Sequence, residues 1–415
     1  MRGRVFILAA LLTAAAGMGR AVDWPQWAGP SRNGVSPATG VFKEGPFELR
    51  EVWRRPVAAG VSALAVSGDR IFSLGSEEGK DYVFALDAGT GKELWRAPLG
   101  ASLTTMDFGV ASTPATDGQR VFVLGAECRL LALEATNGAV VWQRDLKAQD
   151  NTGPMPRGCW TSPLLEGDLL IVQVNGDPDK RIMAFDKVSG AVVWSSAGVE
   201  KSMRSSPLVA DIGGVRQVVV HDVTKDVKGG LYGLRLKDGA LLWSVRFPET
   251  GSYSYDTPVL LADGRVGVVA WSDFRTAAVH RQGESFAAEP GWSAREIRAE
   301  VQPYNLHAVA LGEHVYGFGG ELLVCLDAAT GKTVWKEKTY PGSLLAVDGH
   351  LVAISQAAGI LRVIEATPAG YREKGRLEVF TPGASTDTPP SFAGRRIYLR
   401  NSEEIVVLEV VKAAK

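Results

Sequence analysis

The sequence predicts an all-β fold: an eight-bladed β-propeller of four-stranded antiparallel blades, closed by pairing of N-terminal and C-terminal strands. Three observations carry this. A short hairpin recurs at 85–95, 132–142, 184–194, 233–243 and 325–335, each time with a Trp four residues after a turn Gly. The steps from Trp95 to Trp142, Trp194 and Trp243 are 47, 52 and 49 residues, the length of a four-stranded blade. Trp53, 42 residues before Trp95, sits in a strand that has the end of a unit without its beginning, while the C-terminus supplies three strands without the last.

The elements follow in chain order. In residues 1–21, Arg2 and Arg4 precede the apolar run from Val5 to Leu12, and small residues lead to Ala21. This is the pattern of a secretory signal peptide with cleavage near Ala21. The run is shorter than the roughly 20 apolar residues of a membrane span, so no transmembrane segment is expected after cleavage. No Cys occurs before Cys128, which argues against lipid attachment. Residues 22–45 are rich in turn formers and aromatics without strand alternation, and read as an irregular arm on which Trp24 and Trp27 cover an apolar edge.

Residues 46–411 are read as the propeller and 412–415 as a tail. Ser/Thr/Asp residues before Pro114, Pro163, Pro207 and Pro258 open successive units, and Gly or Asp turns join the strands. Trp292 lies 49 residues after Trp243 and marks a worn copy of the hairpin. Residues 344–380 form a seventh unit lacking its Trp, and 386–409 give three strands of an eighth, completed by the Trp53 strand. The repeated Trp residues (Trp53, Trp95, Trp142, Trp194, Trp243, Trp292, Trp335) and turn glycines (Gly91, Gly138, Gly190, Gly239, Gly331) are expected to be structural, because each buried indole removes roughly 150–250 Å² from water. The small residue opening each hairpin leaves room for close approach, which puts Cys325 in a packing slot.

At 46% hydrophobic and 22% charged the chain has the composition of a folded globular protein. Removing Arg2, Arg4 and Arg20 leaves 42 basic against 46 acidic residues, a formal charge of −4 that gives no reason to expect a nucleic-acid partner. There is no phosphate loop, His-Glu-x-x-His or Gly-x-Ser-x-Gly motif, and five His make a His-based metal cluster improbable.

The Ala-Leu-Asp-x-x-Thr-Gly-Lys-x-x-Trp unit with its Ser-Ser-Pro strand openings resembles the tryptophan-docking repeat of the pyrroloquinoline quinone (PQQ)-like eight-bladed propellers. The resemblance spans about 46–411. It implies the fold, and it implies one of two functional classes: quinoprotein alcohol and glucose dehydrogenases, or non-catalytic scaffolds such as the propeller lipoprotein of the outer-membrane barrel-assembly machinery. The Asp-Trp-Pro-Gln-Trp-x-Gly-Pro arm is similar to that of exported PQQ-like repeat proteins. The dehydrogenases typically hold PQQ beside Ca²⁺, many with a disulfide of adjacent cysteines over the ring. Here Cys128, Cys159 and Cys325 are never adjacent, and their odd number leaves at least one free thiol; a Cys128–Cys159 bridge is one pairing open to them. No Cys-x-x-Cys-His attaches a haem, and the chain is short for an alcohol dehydrogenase.

Candidate ligand residues are the polar groups expected near the mouth of the central channel: Asp107, Arg157, Trp160, Arg204, Tyr255, Asp256, Asn305 and His307. Arg157 and Arg204 with a stacking Trp160 could bind an anionic or planar ligand; the competing reading makes all eight ordinary turn and rim residues, with Asp256 capping its own loop. The sequence therefore points to an exported, periplasmic or secreted monomeric scaffold that binds an envelope protein partner or small ligand, with no catalytic residue, metal or cofactor. A PQQ- and calcium-dependent dehydrogenase of alcohols or sugars is the alternative.

Overall fold

The computed structural model describes residues 23–103, 110–151, 158–174, 177–197, 199, 205–224, 227–247, 256–270, 272–298, 308–384 and 386–414. Eight four-stranded antiparallel sheets follow one another in chain order, as the repeat predicts. Blade 1 is typical: Ala65–Ser67, Arg70–Glu77, Lys80–Asp87 and Glu93–Ala101 run from the channel outward. Blades 2 to 7 begin at Ala115, Leu164, Leu208, Val259, Ala308 and Gly342. Blade 8 takes Ser391–Ala393, Arg396–Arg400 and Glu404–Lys412 from the C-terminus and its outer strand, Phe47–Pro56, from the N-terminus. Trp53 pairs with Val407 and Phe47 with Lys412, so the ends of the propeller are joined by backbone pairing and the ring has no open edge between first and last blades. Beyond the strands, one five-residue helix, Leu146–Asp150, is capped by Asp145. Among the described residues no helix is long and apolar enough to cross a membrane.

The core lies between the blades. One cluster joins Phe72 and Val83 of blade 1 to Val121 and Leu133 of blade 2; another joins Phe122 to Phe185 of blade 3; the largest spans blades 7, 8 and 1. Because each sheet buries both faces against neighbours, the middle strands read as continuous apolar runs.

The repeated hairpin wedges each blade on the next. Its small residue faces the Trp position (Ala85 opposite Trp95, Cys325 opposite Trp335), and a β-bulge beside that pair turns the outer strand. The indole then reaches forward. Trp53 Nε1 donates to the Ala88 carbonyl at 3.1 Å, Trp95 to Ala135 at 3.0 Å, Trp142 to Lys187 at 3.0 Å, Trp194 to Leu236 at 3.0 Å, Trp292 to Ala328 at 3.1 Å and Trp335 to Thr367 at 2.8 Å. Gly91, Gly138, Gly190, Gly239 and Gly331 hold φ of 71–73°, and a Cβ on any of them would lie within 2.4–2.7 Å of the preceding blade's indole. Glycine is thus required twice over, by the turn and by the ring lying on it.

Two joints depart from this pattern. Blade 7 carries Gly375 where a Trp would stand, opposite Val363, and the Phe47 ring approaches it instead. The cause is topological: the outer hairpin of blade 8 is built from two separate chain ends, so it has no turn to receive an indole. At the other joint, Trp243 turns back and donates to Gln217 Oε1 of its own blade at 2.7 Å. The next hairpin, Phe274–Gln282 with Ser285–Ala294, turns at Gly283, nine residues before Trp292 rather than four. It extends four residue pairs further, Val279 with Ala288 through Gln282 with Ser285, so no glycine turn lies at docking height.

Candidate functional site

The channel wall is made where the inner strands begin. Hydroxyls there pass hydrogen bonds from blade to blade: Thr113 Oγ1 accepts from Ala63 N at 3.1 Å, Ser162 Oγ from Thr113 N at 3.0 Å and Ser206 Oγ from Ser162 N at 2.9 Å. Ser112 Oγ donates to the Thr161 carbonyl, Ser205 Oγ to that of Asp256 at 2.7 Å, and Ser391 Oγ to that of Leu64 at 2.7 Å across the ring closure. Proline after Thr113, Ser162 and Ser206 cannot donate to a ladder, and the hydroxyl preceding it supplies the contact between sheets. The sequence marks these positions only as strand openings; the recurrence of Ser or Thr immediately before Pro114, Pro163, Pro207 and Pro258 is the signal of the belt.

The N-terminal arm crosses the opposite mouth, at the far ends of the inner strands. Trp24 exchanges backbone hydrogen bonds with Val66 of blade 1, the Pro25 carbonyl accepts from Thr116 of blade 2, and Gln26 exchanges side-chain bonds with the Leu165 backbone of blade 3. Trp27 Nε1 donates to Thr257 Oγ1 beside blade 5 at 2.8 Å. Val35–Ser36 then forms a short parallel strand on Ala346 and Val347 of blade 7, and the Asp348 carboxylate accepts from the backbone N–H groups of Val41, Phe42 and Lys43. Those bonds hold the Asp348 carboxyl below its ordinary range against the opposing effect of burial. Trp24, Trp27, Ala28 and Arg32 are all buried. The arm is a seal across the channel as well as a cover for an apolar edge.

Two guanidiniums are fully buried at the channel with carbonyl and hydroxyl acceptors only. Arg32 donates to the Pro163 and Ser162 carbonyls at 2.8 and 3.2 Å, and Arg400 to Ala58, Ser62, Ser73 and Leu74 of the blade 8 to blade 1 joint. Burial lowers both to about 9, still charged at neutral pH. His221, wholly buried on the blade 4 face toward blade 5, is driven down to about 3, first by burial and then by the charge of Arg275, and is neutral. Arg275 pairs with Asp273 at 2.7 Å and lies over the Phe247 ring.

Of the eight ligand candidates, Asp107, Arg157, Arg204, Tyr255, Asn305 and His307 lie outside the described residues. Trp160 and Asp256 are buried, 7% and 1% exposed, and the Asp256 carbonyl belongs to the hydroxyl belt. Cys128 and Cys159 form a disulfide with Cα atoms 5.2 Å apart, tying blade 2 to the segment entering blade 3. Cys325 is buried beside Trp335, and burial pushes its thiol up to about 11. Among the described residues no group of three His, Cys, Asp or Glu could hold a metal ion.

Two clefts of about 710 Å³ each open on the arm-bearing face. One, between Phe42, Phe47, His350 and Lys374, lies at the blade 7 to blade 8 joint; the other, between Leu169, Val215, Leu242 and Phe286, lies at the blade 4 to blade 5 joint. They coincide with the two joints that lack indole docking.

The chain matches the family described as "Outer membrane protein assembly factor BamB" over residues 49–151 and 79–337. An outer membrane protein assembly factor BamB of Yersinia pestis is 25% identical over 316 residues, covering 71% of this chain and 72% of that protein. Among solved structures, BamB from Moraxella catarrhalis covers 87% of this chain and 98% of its own at 15% identity, with a TM-score of 0.60. A quinohemoprotein alcohol dehydrogenase from Pseudomonas putida HK5 covers 95% and 81% at 12% identity, with a TM-score of 0.64. Those two likenesses concern the fold, which an assembly factor and a dehydrogenase share.

Proposed function

The chain belongs to the family of outer membrane protein assembly factor BamB, and from that premise we propose that it is an exported, non-catalytic propeller scaffold that binds a protein partner in the cell envelope. The observation that carries this reading is the family match across residues 49–337, most of the propeller. The state of the channel supports it. The hydroxyls of Thr113, Ser162 and Ser206 are engaged with neighbouring blades, the arm crosses one mouth, and Arg32 and Arg400 brace carbonyls. A redox site needs donors free to hold a cofactor and substrate. The Cys128–Cys159 disulfide fits an oxidising compartment, in agreement with the leader pattern of residues 1–21 and a periplasmic location. The mature chain is read as a monomer whose partners are proteins of the envelope.

The test is a titration of the purified mature chain with PQQ and Ca²⁺ while dye reduction is followed with alcohols and aldose sugars. The scaffold reading expects neither saturable PQQ binding nor turnover. Stoichiometric PQQ binding accompanied by dye reduction would replace it with the dehydrogenase reading.

A further inference from the structure

We propose that the cleft at the blade 7 to blade 8 joint is a binding site for a small aromatic carboxylate whose ring carries a hydroxyl or N–H donor. The site is independent of the scaffold reading and adds a ligand to it.

The cleft exists because the ring is closed by chain ends. At regular joints the outer hairpin of the following blade turns on the arm-bearing face and closes the gap. The outer pair of blade 8 has no such turn: Phe47 pairs with Lys412, Ala413 N donates to the Pro46 carbonyl at 3.0 Å, and the chain leaves in both directions. The residues leading into Phe47 line one side of the opening and the turns of blade 7 line the other, around about 710 Å³. That volume is within the range of preformed ligand clefts.

The wall is aromatic. Phe42 and Phe47 meet edge to face with centroids 4.8 Å apart, and the His350 ring lies 5.2 Å from Phe42. A flat ring set against such a wall gains apolar burial and edge-to-face contact. His350 supplies the acceptor. It is 7% exposed, lines the cleft, and has Nδ1 3.0 Å from the Asp348 carbonyl. A carbonyl only accepts, so Nδ1 carries the proton and the neutral ring presents a lone pair at Nε2. Nε2 has no hydrogen-bond partner among the described residues. An O–H or N–H on the ligand ring satisfies it, and a buried acceptor left unpaired is costly.

The charges around the cleft select the other end of the ligand. Glu365, the cross-strand neighbour of His350, pairs with Lys374 at 3.0 Å and with Arg372 at 3.7 Å. Glu44 pairs with Lys412 at 3.2 Å, and the Asp348 carboxylate is taken by the backbone N–H groups of Val41, Phe42 and Lys43. Glu48, next to Phe47 in its strand, alternates to the opposite face. The cations Lys43, Arg372, Lys374 and Lys412 therefore outnumber the carboxylates Glu44, Asp348 and Glu365 by one. Lys43 is the cation without an ion pair among the described residues, and its Cε and Nζ rest over the blade 7 turn, 2.8 and 3.0 Å from where a Cβ on Gly349 would stand. One free ammonium beside an aromatic wall complements one carboxylate on an aromatic ligand.

The experiment is isothermal titration calorimetry on the whole mature chain with three probes: para-hydroxyphenylacetate, phenylacetate, which lacks the hydroxyl, and tyramine, which carries an ammonium in place of the carboxylate. The first should bind with a Kd of about 0.1–1 mM, phenylacetate about tenfold more weakly, and tyramine without saturation. Lys43→Ala keeps the backbone N–H that Asp348 holds and should weaken the first probe about tenfold. His350→Phe should bring it to the level of phenylacetate. Leu169→Ser, in the blade 4 to blade 5 cleft, should leave it within about twofold. Tyramine binding as tightly as the acid, equal binding of the two acids to the parent, no effect of Lys43→Ala, or no saturation by about 10 mM would overturn the proposal. Such a failure leaves the scaffold reading intact, because that reading is judged by PQQ binding and turnover.

Discussion

Trp243 donates its indole N–H to Gln217 of its own blade, at 2.7 Å, where six other tryptophans reach the following blade. The exception locates the rule. An indole crosses a joint only when the next hairpin turns early enough to place a glycine beneath it. Where the hairpin of blade 5 runs on, the indole folds back and a cleft opens.

Gly138→Ala should be much worse than Gly264→Ala. Both glycines hold positive φ, 73° and 86°, but a Cβ at 138 meets the Trp95 ring at 2.5 Å while none of the protein lies within 4 Å of one at 264. Backbone strain alone costs about 1 kcal/mol; displacing the indole adds on the order of 1–3 kcal/mol. Urea midpoints of the two variants measure the difference, and equal midpoints would refute indole docking as the source of cohesion.

Trp24→Ala should cost about 3–5 kcal/mol, the range for truncating a buried indole, although residue 24 lies outside the repeat. Its ring is 2% exposed and its backbone pairs with Val66. Far-ultraviolet circular dichroism at 25 °C should stay that of a β protein while the thermal midpoint falls. A midpoint unchanged from the parent would mean that the arm is not part of the fold.

Acid should destabilise the protein through His221. Its folded value, about 3, lies below the ordinary 6.5, so the unfolded chain takes up a proton that the folded chain refuses. The stabilisation from a neutral His221 is complete above pH 6.5 and is lost as pH falls toward 3, at a slope approaching 1.4 kcal/mol per pH unit. His221→Phe should flatten the dependence of the urea midpoint on pH across that window. An unaltered slope would assign the acid sensitivity to other groups.

Reduction of Cys128–Cys159, which are 31 residues apart, should cost about 3–4 kcal/mol by release of the unfolded chain. The Cys128→Ser, Cys159→Ser double variant should match the reduced protein, and Cys325→Ala should leave the response to reductant unchanged. A parent protein that shows no shift with reductant would contradict the bridge.

Local signals made the ring legible, because a propeller repeats its chemistry at a fixed period. The Gly–Trp spacing in each hairpin marks the turn and outer strand, and the solitary Trp53 strand announces the closure that Trp53 and Val407 make. The long hairpin also left a local trace, since Gly283 precedes Trp292 by nine residues. The path of the arm did not. Trp27 meets Thr257 across 230 positions of sequence, and nothing near Trp27 encodes that partner. The disulfide is likewise one open pairing in the sequence, because only the fold brings the turn at Cys128 beside the segment that leads into blade 3. Of the channel-mouth candidates, Trp160 and Asp256 are buried parts of the wall, a distinction that depends on which neighbours a turn residue meets.

The central claim, that this propeller works by holding a protein partner in the envelope, is tested most directly by cross-linking in the native host. A photoreactive amino acid at Leu169, in the blade 4 to blade 5 cleft, and in a second strain at Lys374, in the blade 7 to blade 8 cleft, would be activated in growing cells, and the adducts identified by mass spectrometry. The account predicts a defined adduct to an envelope protein from at least one of the two positions. A chain that forms no adduct with any envelope protein, and that is isolated from the same cells carrying stoichiometric PQQ, would contradict it.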